Sequence, residues 1–155
     1  MTTPRTAAAQ LRALIERFAP AEQKRIRAVR TAMRKRLPSA NELVYDYGTS
    51  VVISYSPTQH AIHAIAATAA RPDGMRLYLT PGPRLPDPKK LLTGSGKQAR
   101  YLVLENARRL TDPDVEALIA AAIGMASVSL PAEGRGDLVI RTSGEEKKPR
   151  RKPAK

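Results

Sequence analysis

The chain has 155 residues, no cysteine and a formal net charge of +13 at neutral pH. This length is enough for one domain with a proper core but not for two, so we expect a single globular unit. The lack of cysteine excludes disulfides, thiolate zinc sites and cysteine nucleophiles. No apolar run approaches membrane-spanning length, so we expect a cytoplasmic protein without a membrane partner.

The positive charge is spread along the chain. Residues 1–126 hold 19 Lys and Arg against 10 Asp and Glu, and residues 127–155 hold 8 against 4. The densest stretch, KRIRAVRTAMRKR, spans residues 24–36 and has no acidic residue. On a helix its apolar positions would face the core and its cations would face solvent. Such a face attracts polyanions, although it is equally typical of an ordinary solvated helix.

Two helices and four strands are predicted in the first half of the chain. The first helix runs from about Thr6 to Phe18, and Pro20 opens a second that ends near Pro38. Short segments rich in β-branched or aromatic residues then alternate with turn signals, which predicts strands. These segments are 43–47, 51–55, 61–67 and 75–79. The third is rich in alanine, but it is too short for a typical helix.

The second half begins with an irregular, proline-rich segment. Asp87 and Pro88 predict the start of a short helix at 89–92, and residues 101–105 return as a strand. Asp112 can cap a final helix whose first position is Pro113. The predicted fold is therefore α+β, with an antiparallel sheet of about five strands packed against N-terminal and C-terminal helices. Turns this short cannot make parallel crossovers.

The C-terminal part has a different character. We place the α+β domain at 1–126 and an extended segment at 127–155, which from about residue 145 has the composition of a disordered basic tail. The apolar triplet 138–140 could add one strand to the edge of the domain or to a partner.

A glycine-framed basic loop follows the predicted short helix. Gly94, Ser95 and Gly96 break that helix, and Lys97 and Arg100 come next. Glycine allows backbone N–H groups to turn outward, which is one way to build a small anion-binding concavity. The same pattern is also typical of a plain turn between two elements.

Two tyrosines provide a further candidate for this site. Tyr45 and Tyr47 alternate onto one face of their predicted strand and could line a pocket with the loop 94–100. Together with Lys97 and Arg100 they would suit a small anionic or planar ligand better than a metal. Ordinary packing of aromatic residues in a strand is the alternative.

Three stretches resemble a known family. They are LLTGSGKQARYL with Asp-Pro before it, LPSANELVY with Tyr-Gly shortly after it, and the region 60–79. Together they resemble the YdhG-like domain-of-unknown-function family of small bacterial proteins, over roughly residues 9–126. The resemblance implies central strands and, for some members, a frataxin-like role in handling iron. An iron carrier needs clustered oxygen ligands, whereas this chain disperses its acids.

The sequence has few candidate residues for enzymatic chemistry. His60 and His63 are the only histidines. On a strand they would point to opposite faces, whereas on a helix their spacing would allow a shared metal. No catalytic constellation is recognisable, so we expect no enzyme, no cofactor and no metal site.

The leading functional prediction is a non-enzymatic cytosolic binding protein of the YdhG-like family that holds a small anionic ligand near residues 94–100. The first alternative is a basic protein that binds nucleic acid weakly and without sequence preference. The second alternative is a frataxin-like iron carrier. The oligomeric state is open. The cations expected to contact nucleic acid are Arg27, Arg30, Arg34, Lys35, Lys148, Arg150 and Arg151.

Overall fold

Residues 6–142 are described by the structure, a computed structural model, and they form three helices and one six-stranded sheet. This confirms the predicted α+β class. The helices are α1 (Ala7–Ile15), α2 (Pro20–Arg36) and α3 (Pro113–Gly124). The strands are β1 (Asn41–Asp46), β2 (Val51–Ser56), β3 (Ala66–Arg71), β4 (Gly74–Leu79), β5 (Arg100–Leu104) and β6 (Leu138–Thr142).

The sheet order is β5-β4-β3-β2-β1-β6, and its last strand differs from the prediction. Strands β1 to β5 are antiparallel neighbours, but β6 lies parallel to β1 with Leu138 opposite Glu42. The sheet is therefore mixed and has six strands instead of about five antiparallel ones. The chain between β1 and β6 includes four strands and α3, so no short turn has to join this parallel pair. The triplet 138–140 thus pairs with the domain's own edge.

One face of the sheet carries the helices and the core. Strand residues that point to this face, such as Val44 and Leu77, are fully buried. The helices contribute their apolar stripes, whose spacing follows the helical period. The buried helix residues are Leu11 and Ile15 from α1, Ile26, Val29 and Met33 from α2, and Val115, Leu118, Ile119 and Ala122 from α3. No helix in the described residues 6–142 is both long and apolar enough to cross a membrane.

The helix boundaries follow their capping residues. The Thr6 hydroxyl accepts a hydrogen bond from the Ala9 N–H at 3.1 Å and starts α1, which ends at Ile15, three residues before the predicted end. Pro20 starts α2 as predicted. The Asp112 carboxylate accepts from the Asp114 N–H at 2.9 Å, which confirms the predicted cap of α3.

The predicted strand at 61–67 is wrong in its position. Ala61–His63 forms a single 3₁₀ turn, and the strand is Ala66–Arg71. The Ile65 N–H donates to the Tyr55 carbonyl at 2.9 Å and brings the chain back beside β2. Alanine is a poor strand former, but here it lies between β2 and β4, where the sheet determines the conformation.

The predicted helix at 89–92 is also wrong. The Asp87 carboxylate accepts hydrogen bonds from the N–H groups of Leu91 and Leu92, at 2.8 and 2.9 Å. Lys90 adopts a left-handed conformation with φ 55°, which a helix does not contain. A side-chain carboxylate in this role competes with helix hydrogen bonding, so the segment is an Asp-stabilised turn.

Candidate functional site

A groove of about 310 Å³ lies between α1 and α2, and we refer to it as the α1–α2 groove. Two buried side chains, Leu11 and Ile15, form its apolar floor. Three arginines line it and none of its lining residues is acidic. The complete lining is Ala8, Leu11, Arg12 and Ile15 from α1, and Arg27, Arg30 and Thr31 from α2.

The Gln23 side chain forms hydrogen bonds both to the connection between the two helices and to an arginine of the groove. The Gln23 amide donates to the Phe18 carbonyl at 2.7 Å and to the Glu16 carbonyl at 3.4 Å. The oxygen of the same amide accepts from the Arg27 guanidinium at 3.3 Å. Gln23 therefore links the turn at 16–19 to one of the groove arginines.

The buried carboxylate of Glu42 fixes the position of the Arg30 side chain. Its Nε and Nη2 donate to the two carboxylate oxygens of Glu42 at 3.0 and 2.9 Å, and the Tyr55 hydroxyl also donates to Glu42 at 3.1 Å. Glu42 is only 5 % exposed. Arginine has five N–H donors, so this fork uses two and leaves others for the groove.

The charge states in this network follow from burial and contact. Burial lowers the pKa of Arg30, but the hydrogen bonds and the negative charge of Glu42 outweigh burial and raise the pKa above its ordinary value. Burial, with the nearby Glu42 charge, raises the pKa of Tyr55 well above its ordinary value. Arg30 is therefore cationic and Tyr55 is a neutral hydrogen-bond donor at neutral pH.

The other two arginines of the groove are more accessible. Arg12 and Arg27 are both exposed, and neither forms an ion pair with any carboxylate among residues 6–142. Thr31 adds an exposed hydroxyl beside them. Guanidinium groups match carboxylate and phosphate geometry through paired N–H donors. The α1–α2 groove is thus suited to an anionic group above an apolar floor.

The residues predicted to contact nucleic acid do not form one surface in the described part of the chain. Arg27 and Arg30 line the α1–α2 groove, and Lys35 is exposed further along α2. The Arg34 Nε lies 3.8 Å from a Glu42 carboxylate oxygen. The expectation that all cations of this helix face solvent is wrong for Arg30, whose side chain is 24 % exposed and bonded to Glu42. Lys148, Arg150 and Arg151 lie outside the described residues.

The glycine-framed loop lies along the outer edge of β5. Thr93 and Tyr101 exchange backbone hydrogen bonds of 2.7 and 3.0 Å, so the loop folds back on the strand. The Arg100 Nε donates to the Gly96 carbonyl at 3.1 Å and is therefore engaged by the loop itself. Lys97 is exposed and has no ion pair within the described part of the chain. Both cations expected at the loop are present, Lys97 without an ion pair among the described residues and Arg100 with one of its five N–H donors used by the loop.

The glycines of this loop have a structural requirement of their own. Gly94 has a φ of +111°, which disfavours any other residue. A Cβ at Gly96 would lie 2.5 Å from the Ala99 carbonyl oxygen. Ser95 between them is exposed. The turn geometry alone accounts for both glycines.

Tyr45 and Tyr47 stack with a centroid distance of 6.3 Å, but they are far from the loop 94–100. Tyr45 is on β1 and Tyr47 is the first residue after it, whereas the loop lies beside β5. Three strands lie between β1 and β5. At about 4.8 Å per strand, this separation is roughly 19 Å. The predicted pocket shared by these tyrosines, Lys97 and Arg100 is therefore not formed.

The histidine pair also differs from the strand prediction. His60 precedes the 3₁₀ turn and His63 ends it, so their rings meet edge to face with centroids 6.0 Å apart instead of pointing to opposite sides. The His63 Nδ1 is 2.8 Å from the Thr58 hydroxyl. Across residues 6–142, no cluster of three or more His, Cys, Asp or Glu side chains is arranged to hold a metal ion.

Three residues of the site were not singled out from the sequence. Arg12 and Thr31 line the groove, and Glu42 positions Arg30. The position of Glu42 could have been predicted, because it lies two residues before the core residue Val44 on β1 and therefore on the same face of the sheet as the helices. The position of Arg12 could not, since it depends on how α1 packs beside α2.

Comparisons with protein-family models, with curated proteins and with solved structures find no match to this chain. The site described here therefore rests on its own geometry.

Proposed function

We propose that this chain is a non-enzymatic binding protein that holds a small anionic ligand in the α1–α2 groove. The observation that carries this proposal is the convergence of Arg12, Arg27 and Arg30 from two helices on one groove whose lining has no carboxylate. The class of function is the one predicted from the sequence. The site moves from the loop 94–100 to the helical side of the domain.

The chemistry of the groove defines the ligand class. Arginines that converge from different directions favour a phosphate or carboxylate group with several acceptor oxygens. The exposed Ala8 of the same lining allows contact with a small apolar part of the ligand, above the buried Leu11 and Ile15. Membership of the YdhG-like family and a cytoplasmic location belong to this proposal and rest on the sequence alone.

Calorimetric titration with inorganic pyrophosphate tests the proposal. The variant Arg12→Gln/Arg27→Gln should bind at least about tenfold more weakly, because it removes two charge-assisted contacts. The control variant Arg84→Gln/Arg108→Gln removes the same charge from two exposed arginines outside the groove lining. It should bind like the parent chain. Equal losses in both variants would show only general attraction to a basic surface and would contradict the proposal.

A third variant separates the groove from the glycine-framed loop. Lys97→Gln removes the exposed cation of that loop and should leave pyrophosphate binding unchanged. If Lys97→Gln abolishes binding while Arg12→Gln/Arg27→Gln retains it, the anion site lies at the loop and the groove proposal is wrong.

Nucleic-acid association is a second candidate, favoured by the run of cations on the outer face of α2. Lys24, Arg27 and Lys35 are exposed and form no ion pair with the described carboxylates. Binding driven by this face should be blind to sequence and should fall steeply between about 0.05 and 0.15 M salt, because counterion release would drive it. Fluorescence anisotropy with unrelated duplexes measures both properties. A sequence preference that persists at the higher salt would make nucleic-acid recognition the leading function.

A further inference from the structure

A second cavity, of about 400 Å³, lies between α2 and α3 and is closed on a third side by the 3₁₀ segment Ala107–Thr111. We refer to it as the α2–α3 cavity. Its size falls within the range of small-molecule sites in proteins. Its lining residues are Ala32, Met33, Lys35, Arg36, Leu110, Thr111, Glu116 and Ile119.

The inner wall of the α2–α3 cavity is apolar. Ala32 and Leu110 present the apolar surface that a ligand can reach, and the buried side chains of Met33 and Ile119 form the packed base of this wall. Methionine adapts its shape to different apolar neighbours. This wall suits the hydrocarbon part of a ligand.

The charged residues of the cavity leave one positive charge without a counterion. The Arg36 guanidinium binds the Glu116 carboxylate with distances of 2.7, 2.8 and 3.0 Å, so these two side chains neutralise each other. Lys35 is exposed at the same cavity and has no ion pair within residues 6–142. One uncompensated cation beside an apolar wall matches a ligand with a single negative charge.

We propose that the α2–α3 cavity binds a small amphipathic monocarboxylate, with its hydrocarbon part against Ala32 and Leu110 and its carboxylate beside Lys35. The ligand differs from that of the α1–α2 groove, where Arg30 is paired with Glu42 but Arg12 and Arg27 have no carboxylate partner among residues 6–142, so two uncompensated cations favour a group with more negative charge. The two sites involve different faces of α2, so either proposal can fail without the other.

Titration with octanoate, with octan-1-ol as the uncharged probe, tests the proposal. Octanoate should bind saturably and octan-1-ol several-fold more weakly, because only the carboxylate can pair with Lys35. Methionine-methyl NMR locates the probe: the Met33 signal should shift, while the signal of Met75, which lies on β4 and lines a separate pocket with Leu11 and Ile15, should not. No saturable octanoate binding, equal binding of octan-1-ol, or a shift of Met75 in place of Met33 would overturn the proposal.

Two pairs of variants on α2 give matched controls. Ala32→Met fills the cavity and should weaken octanoate binding about tenfold, whereas Ala28→Met, at an exposed position one turn earlier that does not line the cavity, should not. Lys35→Gln should weaken binding roughly twofold to fivefold, as expected for an exposed charge pair, and Lys24→Gln should leave it unchanged. If Ala32→Met unfolds the chain, the lysine pair still decides the question. Equal effects of Lys35→Gln and Lys24→Gln would contradict the assigned position of the carboxylate.

Discussion

Arg30 on α2 and Glu42 on β1 form a two-point hydrogen-bonded ion pair, with distances of 3.0 and 2.9 Å. Glu42 is almost completely buried, and the Tyr55 hydroxyl donates to the same carboxylate. The pair connects the second helix to the first strand and fixes one arginine of the α1–α2 groove. Its role in stability and its role at the groove are therefore coupled through one carboxylate.

Removing the Glu42 charge should destabilise the fold. Glu42→Gln leaves the half-buried Arg30 cation without its counterion, and we expect the free energy of unfolding to fall by about 2 kcal/mol, less than for a fully buried pair because Arg30 is partly exposed. Urea unfolding at neutral pH measures this. Glu133→Gln on the exposed surface should change the value by less than ~0.5 kcal/mol. Similar effects of the two substitutions would contradict the structural role of Glu42.

Gly136 is expected to be essential for the docking of β6. A Cβ at this position would collide with the Ala40 carbonyl group and would lie 2.6 Å from the Asn41 nitrogen. Gly136→Ala should therefore cost about 2 kcal/mol or more, because backbone atoms must move. Gly124→Ala is the control, since its Cβ would meet nothing within 4 Å and alanine favours the end of α3. Thermal unfolding of both variants tests the prediction, and an unchanged melting temperature for Gly136→Ala would refute it.

Asp46 should contribute a pH-dependent part of the stability. Its carboxylate accepts from the Arg17 guanidinium at 2.7 Å and from the Gly48 N–H at 2.8 Å, and these bonds lower its pKa below the ordinary value. A carboxyl group with a lowered pKa stabilises the fold above its unfolded pKa of about 3.9, and this contribution disappears as the pH falls through the folded value.

The substitution Asp46→Asn isolates this contribution. The parent chain should be more stable than Asp46→Asn at neutral pH, and the difference should shrink as the pH falls below about 4. Denaturant unfolding across this range measures the difference. If the difference in stability between the parent chain and Asp46→Asn stayed constant down to the lowest pH, the carboxylate charge would not be its cause.

The sequence predicted the helices and most strands because their signals are local. The cap at Asp112, the proline that opens α2 and the alternating residues of β1 are all set by near neighbours along the chain. One error, the helix predicted at 89–92, came from a local turn that the Asp87 carboxylate stabilises, and the other errors fell where distant contacts decide. The alanines of β3 form a strand because β2 and β4 flank them, and β6 pairs with β1 across a long connection.

The candidate site was less predictable than the fold. Arg27 and Arg30 were identified from charge density alone, but which cations converge depends on the packing of α1 beside α2. Arg12 therefore carried no signal. Tyr45 and the loop 94–100 each had plausible chemistry, yet the strand order separates them. Chemistry that depends on two distant segments requires the tertiary arrangement.

The position of a bound anion would show whether the α1–α2 groove is the anion site. Crystals soaked in selenate would reveal the selenium by its anomalous signal, and we expect selenate within hydrogen-bonding distance of the guanidinium groups of Arg12, Arg27 or Arg30, away from lattice contacts. Selenate that binds beside Lys97 while the α1–α2 groove stays empty would refute the groove proposal and return the site to the glycine-framed loop.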